Sequence, residues 1–384
     1  MKDYLEAIVV EQINRSLALK NFIRYPLQYS ELAGLAERCT RILDDQIRNL
    51  KELESMIETR EENDLRDIFR DVRVCGMEIA LVEYYGIPPL YYQTPEIGFL
   101  NRLTFKIHGE IKLPLPHPAI CGGSGEHYFS HPFTNVIFVP LGESEFLLHM
   151  PDLYHEIGHY LLENRDADLR LETMTKAFDS CFMAIARYYT ELMKTKKREG
   201  APQGIQFAIS RCYSQWKNWI VEFFCDLFAL YTVGPAYAWS HIHLTLKRSK
   251  DIYELDMLQN QTHPADEARM RILEYGLKNL GYEAESGKMH SKWAEISKFW
   301  SNPPSEYQYA YPDSLLADIA RLSLEGLQGS SLSVAYPKVL STNTGEIRFM
   351  LNTAWEVFWK SPKEFRTWEV DQLSSLRRSL TNPI

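Results

Sequence analysis

His155-Glu156-Ile157-Gly158-His159 places two imidazoles four residues apart. On an α-helix that spacing puts both on one face, where they can reach a single cation. The glutamate between them then stands beside the water that such a cation would activate. The five residues name a chemistry, zinc hydrolysis, and the flanking sequence supplies a setting for it. Asn135-Val136-Ile137-Phe138-Val139-Pro140 is a β-branched and aromatic run that reads as a strand ending at a proline. A helix is expected to begin near Pro151-Asp152, where proline suits the first turn and an acidic side chain suits the positive helix end. It continues through Tyr160-Leu161-Leu162, with Leu148, Ile157 and Leu161 near its apolar side.

Zinc needs a third protein ligand and, for catalysis, an open fourth position. Glu222 is the candidate. It lies in Trp219-Ile220-Val221-Glu222-Phe223-Phe224-Cys225-Asp226-Leu227-Phe228-Ala229-Leu230, a stretch so apolar that its two carboxylates require an explanation. Four residues apart, they share a helical face. Burying a lone carboxylate costs several kcal/mol, a cost removed by a metal for Glu222 and an imidazole N–H for Asp226. Alternatively, both acids mark the wet edge of an amphipathic helix.

With these motifs the chain resembles the gluzincin metallopeptidases, whose first helix carries His-Glu-x-x-His and whose second carries Glu-x-x-x-Asp. Within them it is most similar to the branch of the CAAX prenyl proteases and the heat-shock membrane protease X. That branch also separates the two helices widely, here by 63 residues (222 − 159). It places a His-Pro and a following Arg after the second helix, matched by Thr262-His263-Pro264 and by Arg269 or Arg271. The resemblance covers about residues 135 to 275. It departs at Cys225, where the branch usually has Ala, and in lacking membrane spans. The resemblance implies a zinc ion (Zn2+) held by His155, His159 and Glu222, with Glu156 as general base and Asp226 orienting His155. Tyr237, His241 and His263 are candidates to steady the oxyanion, and His263 has the family position.

No window of about 20 apolar residues suggests a membrane helix, since Glu222, Asp226 and Gly234-Pro235 interrupt the most hydrophobic region. Met1-Lys2-Asp3-Tyr4-Leu5-Glu6 puts acids early, and Ile8-Val9-Val10 is too short for a signal-peptide core, so a cytoplasmic protein is expected. Six scattered cysteines, Cys39, Cys75, Cys121, Cys181, Cys212 and Cys225, form no Cys-x-x-Cys pair and read as reduced thiols. A net charge of −9 (42 − 51) argues against a nucleic-acid partner. The one basic run, Lys194-Thr195-Lys196-Lys197-Arg198, reads as a helix C-terminus.

The fold class expected is mainly α with a small β-sheet (α+β), in three regions. Residues 1–94 form an N-terminal helical region. Between Ser30 and Ile57 its apolar residues recur at three- and four-residue spacing in a long amphipathic helix, open to packing within its own domain or to partner contacts as a coiled coil. Asp71 to Tyr85 continues helically to a break at Gly86-Ile87-Pro88-Pro89. Residues 95–285 form a zincin-like metallopeptidase domain. Its Phe105–Asn135 stretch reads as short strands and loops, with His108, His117, His127 and His131 in solvent-facing roles and the 135–139 strand offering an edge to a peptide. Residues 286–384 are helical and Trp-rich, broken at Ser301-Asn302-Pro303-Pro304, with Trp293, Trp300, Trp355, Trp359 and Trp368.

The functional expectation is a zinc metalloendopeptidase, a hydrolase acting on a protein or peptide. Two alternatives stay open. One is a zinc hydrolase of a non-peptide amide or a catalytically silent zinc fold, and the other a helical interaction protein with an accidental motif.

Overall fold

The computed structural model describes residues 2–23, 27, 29–59, 65–123, 128–140, 142–247, 250–300 and 302–381. Among them the chain is mainly helical with one three-stranded sheet, as expected. In order come α1 (Lys2–Lys20), α2 (Ala33–Thr59), α3 (Leu65–Leu81), α4 (Ile87–Tyr91) and α5 (Pro95–Ile111). The strands β1 (Ala119–Gly122), β2 (Phe129–His131) and β3 (Val136–Val139) follow. Then come α6 (Asp152–Glu163), α7 (Glu172–Arg198), α8 (Gln203–Val233), α9 (Ala236–Lys247), α10 (Asp266–Leu280) and α11 (Glu283–Ile296). The chain closes with α12 (Tyr307–Ala310), α13 (Asp313–Gly329), α14 (Pro337–Thr342), α15 (Ile347–Lys360) and α16 (Phe365–Thr381). No helix of the described residues is long and apolar enough to cross a membrane.

The chain divides into two compact units rather than the three regions drawn from its sequence. One comprises residues 1–105, 116–144 and 380–384, the other residues 106–115 and 145–379. The boundary expected at 285/286 is not an edge of either unit. The reason lies in packing: α13 lies along α7, α8 and α10, and α15 against α8 and α9, so the C-terminal helices share the core of the helices before them. Of the tryptophans in the C-terminal stretch, Trp293 and Trp355 are buried in that core, Trp355 stacked near Trp239 of α9, whereas Trp359 is exposed.

In the first unit, α2 buries the stripe Leu35, Cys39, Leu43, Leu50 and Ile57 against α1 and α3, so the amphipathic helix is used within its own unit. The break at Gly86 is smaller than its prolines suggest. After α3 the backbone makes one wide turn over Val82–Gly86, and Pro88 and Pro89 then sit in the first turn of α4, where no backbone N–H is needed. A Cβ on Gly86 would lie 2.6 Å from Cys39 Sγ, so glycine admits α2 there.

The 105–135 stretch is also more helical than it reads, because Phe105–Ile111 completes α5. In the sheet the strand order is β1-β3-β2, with β1 parallel and β2 antiparallel to β3. β3 is therefore central and paired on both sides, and it offers no edge to a peptide. All four of its residues are buried, which accounts for their uninterrupted apolar character. His117 contacts the Glu31 carbonyl, and His131 stacks on Tyr85 and meets Thr134 Oγ1 at 2.8 Å; both are half-buried and neither faces open solvent. His127 and Ser301 lie outside the described residues.

In the second unit the carboxylate of Glu110 accepts the backbone N–H of Ile347 at the start of α15, at 2.9 and 3.0 Å. Burial raises its pKa to about 7 against this donor and against the charge of Lys106, so desolvation outweighs both. The folded state thus keeps a proton that the unfolded chain loses from about pH 4.5. Stability from this group is present below pH 4.5 and lost as pH rises to about 7, a loss on the order of 1–3 kcal/mol after allowing for its partial exposure. Melting curves at pH 5 and pH 8 should show wild type losing more stability than Glu110→Gln. Parallel curves would refute the assignment.

Candidate metal site

α6 and α8 carry the site, and their closeness is set by one glycine. A Cβ placed on Gly158 would lie 3.1 Å from Cys225 Cα, 3.2 Å from its Cβ and 3.3 Å from its Sγ. Without a side chain there, α6 settles onto the backbone of α8, which brings residues 155 and 159 opposite 222 and 226. Cys225 serves as the small residue at this contact; it is fully buried, and desolvation together with the charge of Glu222 keeps its thiol protonated. Gly158→Val would force the helices apart. The overpacking should cost about 1–3 kcal/mol or more and weaken metal binding, read by thermal unfolding and metal titration. Native stability and affinity in Gly158→Val would show that the contact does not set the site.

Across this contact the Nε2 atoms of His155 and His159 lie 3.1 Å apart. Glu222 completes a triangle, Oε2 at 3.5 Å from His155 Nε2 and Oε1 at 3.6 Å from His159 Nε2. Ligands at about 2.0–2.2 Å on a tetrahedral ion are separated by roughly 3.3–3.5 Å. The three groups therefore fit one small cation with little movement. Among the described residues they are the one group of three or more His, Cys, Asp or Glu side chains with ligand atoms so gathered, all within 4.8 Å. Glu222 Oε2 is buried, and the partners facing it are imidazole nitrogens, His155 Nε2 at 3.5 Å and His263 Nε2 at 3.7 Å.

Behind His155 stands a polar relay. Asp226 Oδ1 is 3.0 Å from His155 Nδ1, so the carboxylate faces the ring nitrogen opposite the cluster. The Tyr237 hydroxyl donates to the same Oδ1 at 2.5 Å and lies 2.9 Å from Nδ1. Arg269 grips Asp226 with two N–H donors, Nε to Oδ2 at 2.8 Å and Nη2 to Oδ1 at 2.5 Å. Asp226 is fully buried and Arg269 nearly so. The corner that allows this is Gly234, whose φ of 92° ends α8 and turns the chain so that Tyr237 of α9 returns onto Asp226, 11 residues back.

Electrostatics follow the wiring. Burial opposes charge on His155, but hydrogen bonds to Asp226 and Glu222 outweigh it and hold its pKa up to about 10. Burial and the charge on His155 lower His159 to about 4. Glu222 is held down to about 2, since the interactions with His155 exceed its own desolvation. A proton on His155 thus serves the carboxylates where a metal cation would replace it.

Of the residues singled out from sequence, His155, His159, Glu222 and Asp226 converge. Glu156 is buried between the two histidines on α6. His263 reaches the cluster from the segment before α10, its Nε2 3.7 Å from Glu222 Oε2 with the side chain 65% exposed. Tyr237 does not face the cluster: its hydroxyl lies on the Nδ1 side of His155, so it orients that imidazole. His241 is buried with its Nε2 3.6 Å from Asp266. Arg269 takes the position after the His-Pro element, while Arg271 pairs with Glu267 and Asp313. Sequence reasoning missed Tyr237 as an orienting group and Gln215, described below.

No family model, curated protein or solved structure matches this chain. What the site can do rests on its geometry and chemistry.

Proposed function

We propose that the chain is a zinc-dependent metallopeptidase with a zincin-like catalytic centre. The observation that carries this reading is the His155, His159 and Glu222 triangle at ligand spacing, His155 and Glu222 buried and His159 partly so, with the buried Glu156 on the same helix as both imidazoles. Two imidazoles and one carboxylate suit zinc and leave a fourth position open. A zinc ion bound there would supply Lewis acidity at the scissile carbonyl and lower the pKa of water.

The protein groups do the rest. Asp226 and Tyr237 hold Nδ1 of His155, so that Nε2 points into the triangle. Glu156 takes the proton of the attacking water and passes it to the leaving amine. His263, at the exposed rim of the cluster, donates to the oxyanion. Six free, buried cysteines favour a reducing compartment such as the cytoplasm, and the substrate of this reading is a protein or peptide.

Protein purified without added zinc should carry about one zinc per chain. His155→Ala and Glu222→Ala should lose it, and Asp226→Ala should weaken binding roughly 10- to 100-fold. Cleavage of an unfolded protein should stop with a chelator and return with zinc. A stable, metal-free wild type would sink this function. Native zinc affinity in Glu222→Ala would move the third ligand elsewhere, first to His241, His243 or His263.

A further inference from the structure

Glu222 is one member of a longer stripe on α8. Arg211, Gln215, Asn218, Glu222 and Asp226 follow one another at steps of four, three, four and four residues, hence on one helical face. The last two belong to the metal cluster and its relay. The first three are occupied by the segment that leads to His263. Arg211 donates through Nε to the Met257 carbonyl at 2.9 Å and through Nη2 to the Gln259 carbonyl at 3.1 Å. Gln215 donates to the Asp256 and Gln259 carbonyls at 3.2 and 2.7 Å and accepts the Gln261 N–H at 3.0 Å. Asn218 donates to the Gln261 carbonyl at 3.2 Å.

Gln215 is fully buried, and all three of these bonds go to this one segment. A buried amide tied to the backbone is costly to leave unpaired, so the bonds fix the segment's register on α8. Gln261 is clamped at both its N–H and its C=O. Four residues on, the Ala265 N–H is held by the Tyr311 hydroxyl at 3.2 Å. His263 lies midway between these anchors, its Nδ1 2.9 Å from Thr262 Oγ1 and its Nε2 toward Glu222.

We propose that Gln215, supported by Arg211 and Asn218, is a positioning residue that sets His263 over the metal cluster by clamping residues 256–261 to the same helix that bears Glu222. The clamp couples the height of an otherwise exposed histidine to a metal ligand seven residues further along that helix (222 − 215). The role of His263 in hydrolysis rests on the peptidase proposed above; the clamp itself does not.

Two measurements separate these claims. The first is amide hydrogen exchange of the zinc-loaded full chain, wild type against Gln215→Met, with Asn218→Ala as the milder variant should Gln215→Met impair folding. Exchange at Gln261 and its neighbours should rise at least about 10-fold while amides of α6 and α8 keep their protection and zinc content is unchanged. The second is peptide hydrolysis. The same variants should lower kcat by roughly 10- to 100-fold with little change in KM, since a small misplacement of a transition-state donor acts on kcat. Adding His263→Ala should then cause no further loss.

Unchanged exchange over 256–263 would overturn the clamp. Losses that multiply when Gln215→Met and His263→Ala are combined would show that Gln215 does not act through His263, which overturns the positioning role. A wild type that cleaves nothing would sink the peptidase reading instead, with the exchange result still deciding whether Gln215 holds the segment.

Discussion

Replacing Glu156 by Gln should reduce peptide hydrolysis at least about a hundredfold while leaving zinc in place. Gln keeps the length, the planar head and the hydrogen-bonding reach of the native side chain, and it removes the one property the mechanism needs, the capacity to take a proton. Glu156 is buried, so thermal unfolding of the variant should accompany the kinetics to separate lost chemistry from a change in folding. The contrast with Glu222→Ala is informative, since that change removes a ligand and should lose metal and activity together. Metal analysis with single-turnover kinetics of the zinc-loaded Glu156→Gln protein distinguishes the two. Full turnover there would eliminate Glu156 as the base and require another group to take the proton. Loss of zinc together with activity would instead make Glu156 a ligand.

What could be read from the sequence follows the range of the interactions concerned. α6 was legible because its two imidazoles are spaced by the helix itself, and α8 because two carboxylates in a run of Trp, Ile, Val, Phe and Leu demand a local reason. Both are short-range patterns. The central place of β3 was not legible, since it depends on parallel pairing with β1, 17 residues earlier (136 − 119). The helical end of α5 was hidden by the prolines and glycines that follow it. That Tyr237, one of three oxyanion candidates, instead meets the Nδ1 side of His155 was hidden for a similar reason: its orientation depends on the turn at Gly234, and residue spacing cannot be counted across a change of helix axis. Two signals were nevertheless present. A carboxylate in a run as apolar as that around Asp226 needs a cation, and the arginines after the His-Pro element were the candidates for it. Arg211, Gln215 and Asn218 also continue the Glu222 stripe at helical spacing, a polar line on a helix whose other face is apolar.

The buried Arg269 and Asp226 pair should be the most sensitive structural element near the site. Arg269→Met removes both donors of a two-pronged bond and leaves Asp226, 0% exposed, with the Tyr237 hydroxyl and His155 as its remaining partners. Breaking one side of a buried pair costs about 3–5 kcal/mol, chiefly the penalty of an uncompensated buried charge. For a chain of this size that corresponds to a melting temperature lower by roughly 4–6 °C. Arg269→Lys should recover only part of the loss, because a single ammonium cannot meet both carboxylate oxygens as the guanidinium does. The double variant Asp226→Asn with Arg269→Met separates structure from chemistry. With both charges gone, most of the stability should return, as buried ion pairs replaced by neutral groups often show. Zinc affinity should stay reduced roughly 10- to 100-fold, since an amide orients and polarises His155 less well than a carboxylate. Thermal unfolding and zinc titration of the three proteins measure the two effects independently. Native stability in Arg269→Met would show that the pair is not the counter-charge of Asp226. Native zinc affinity in the double variant would show that the relay behind His155 serves the fold alone.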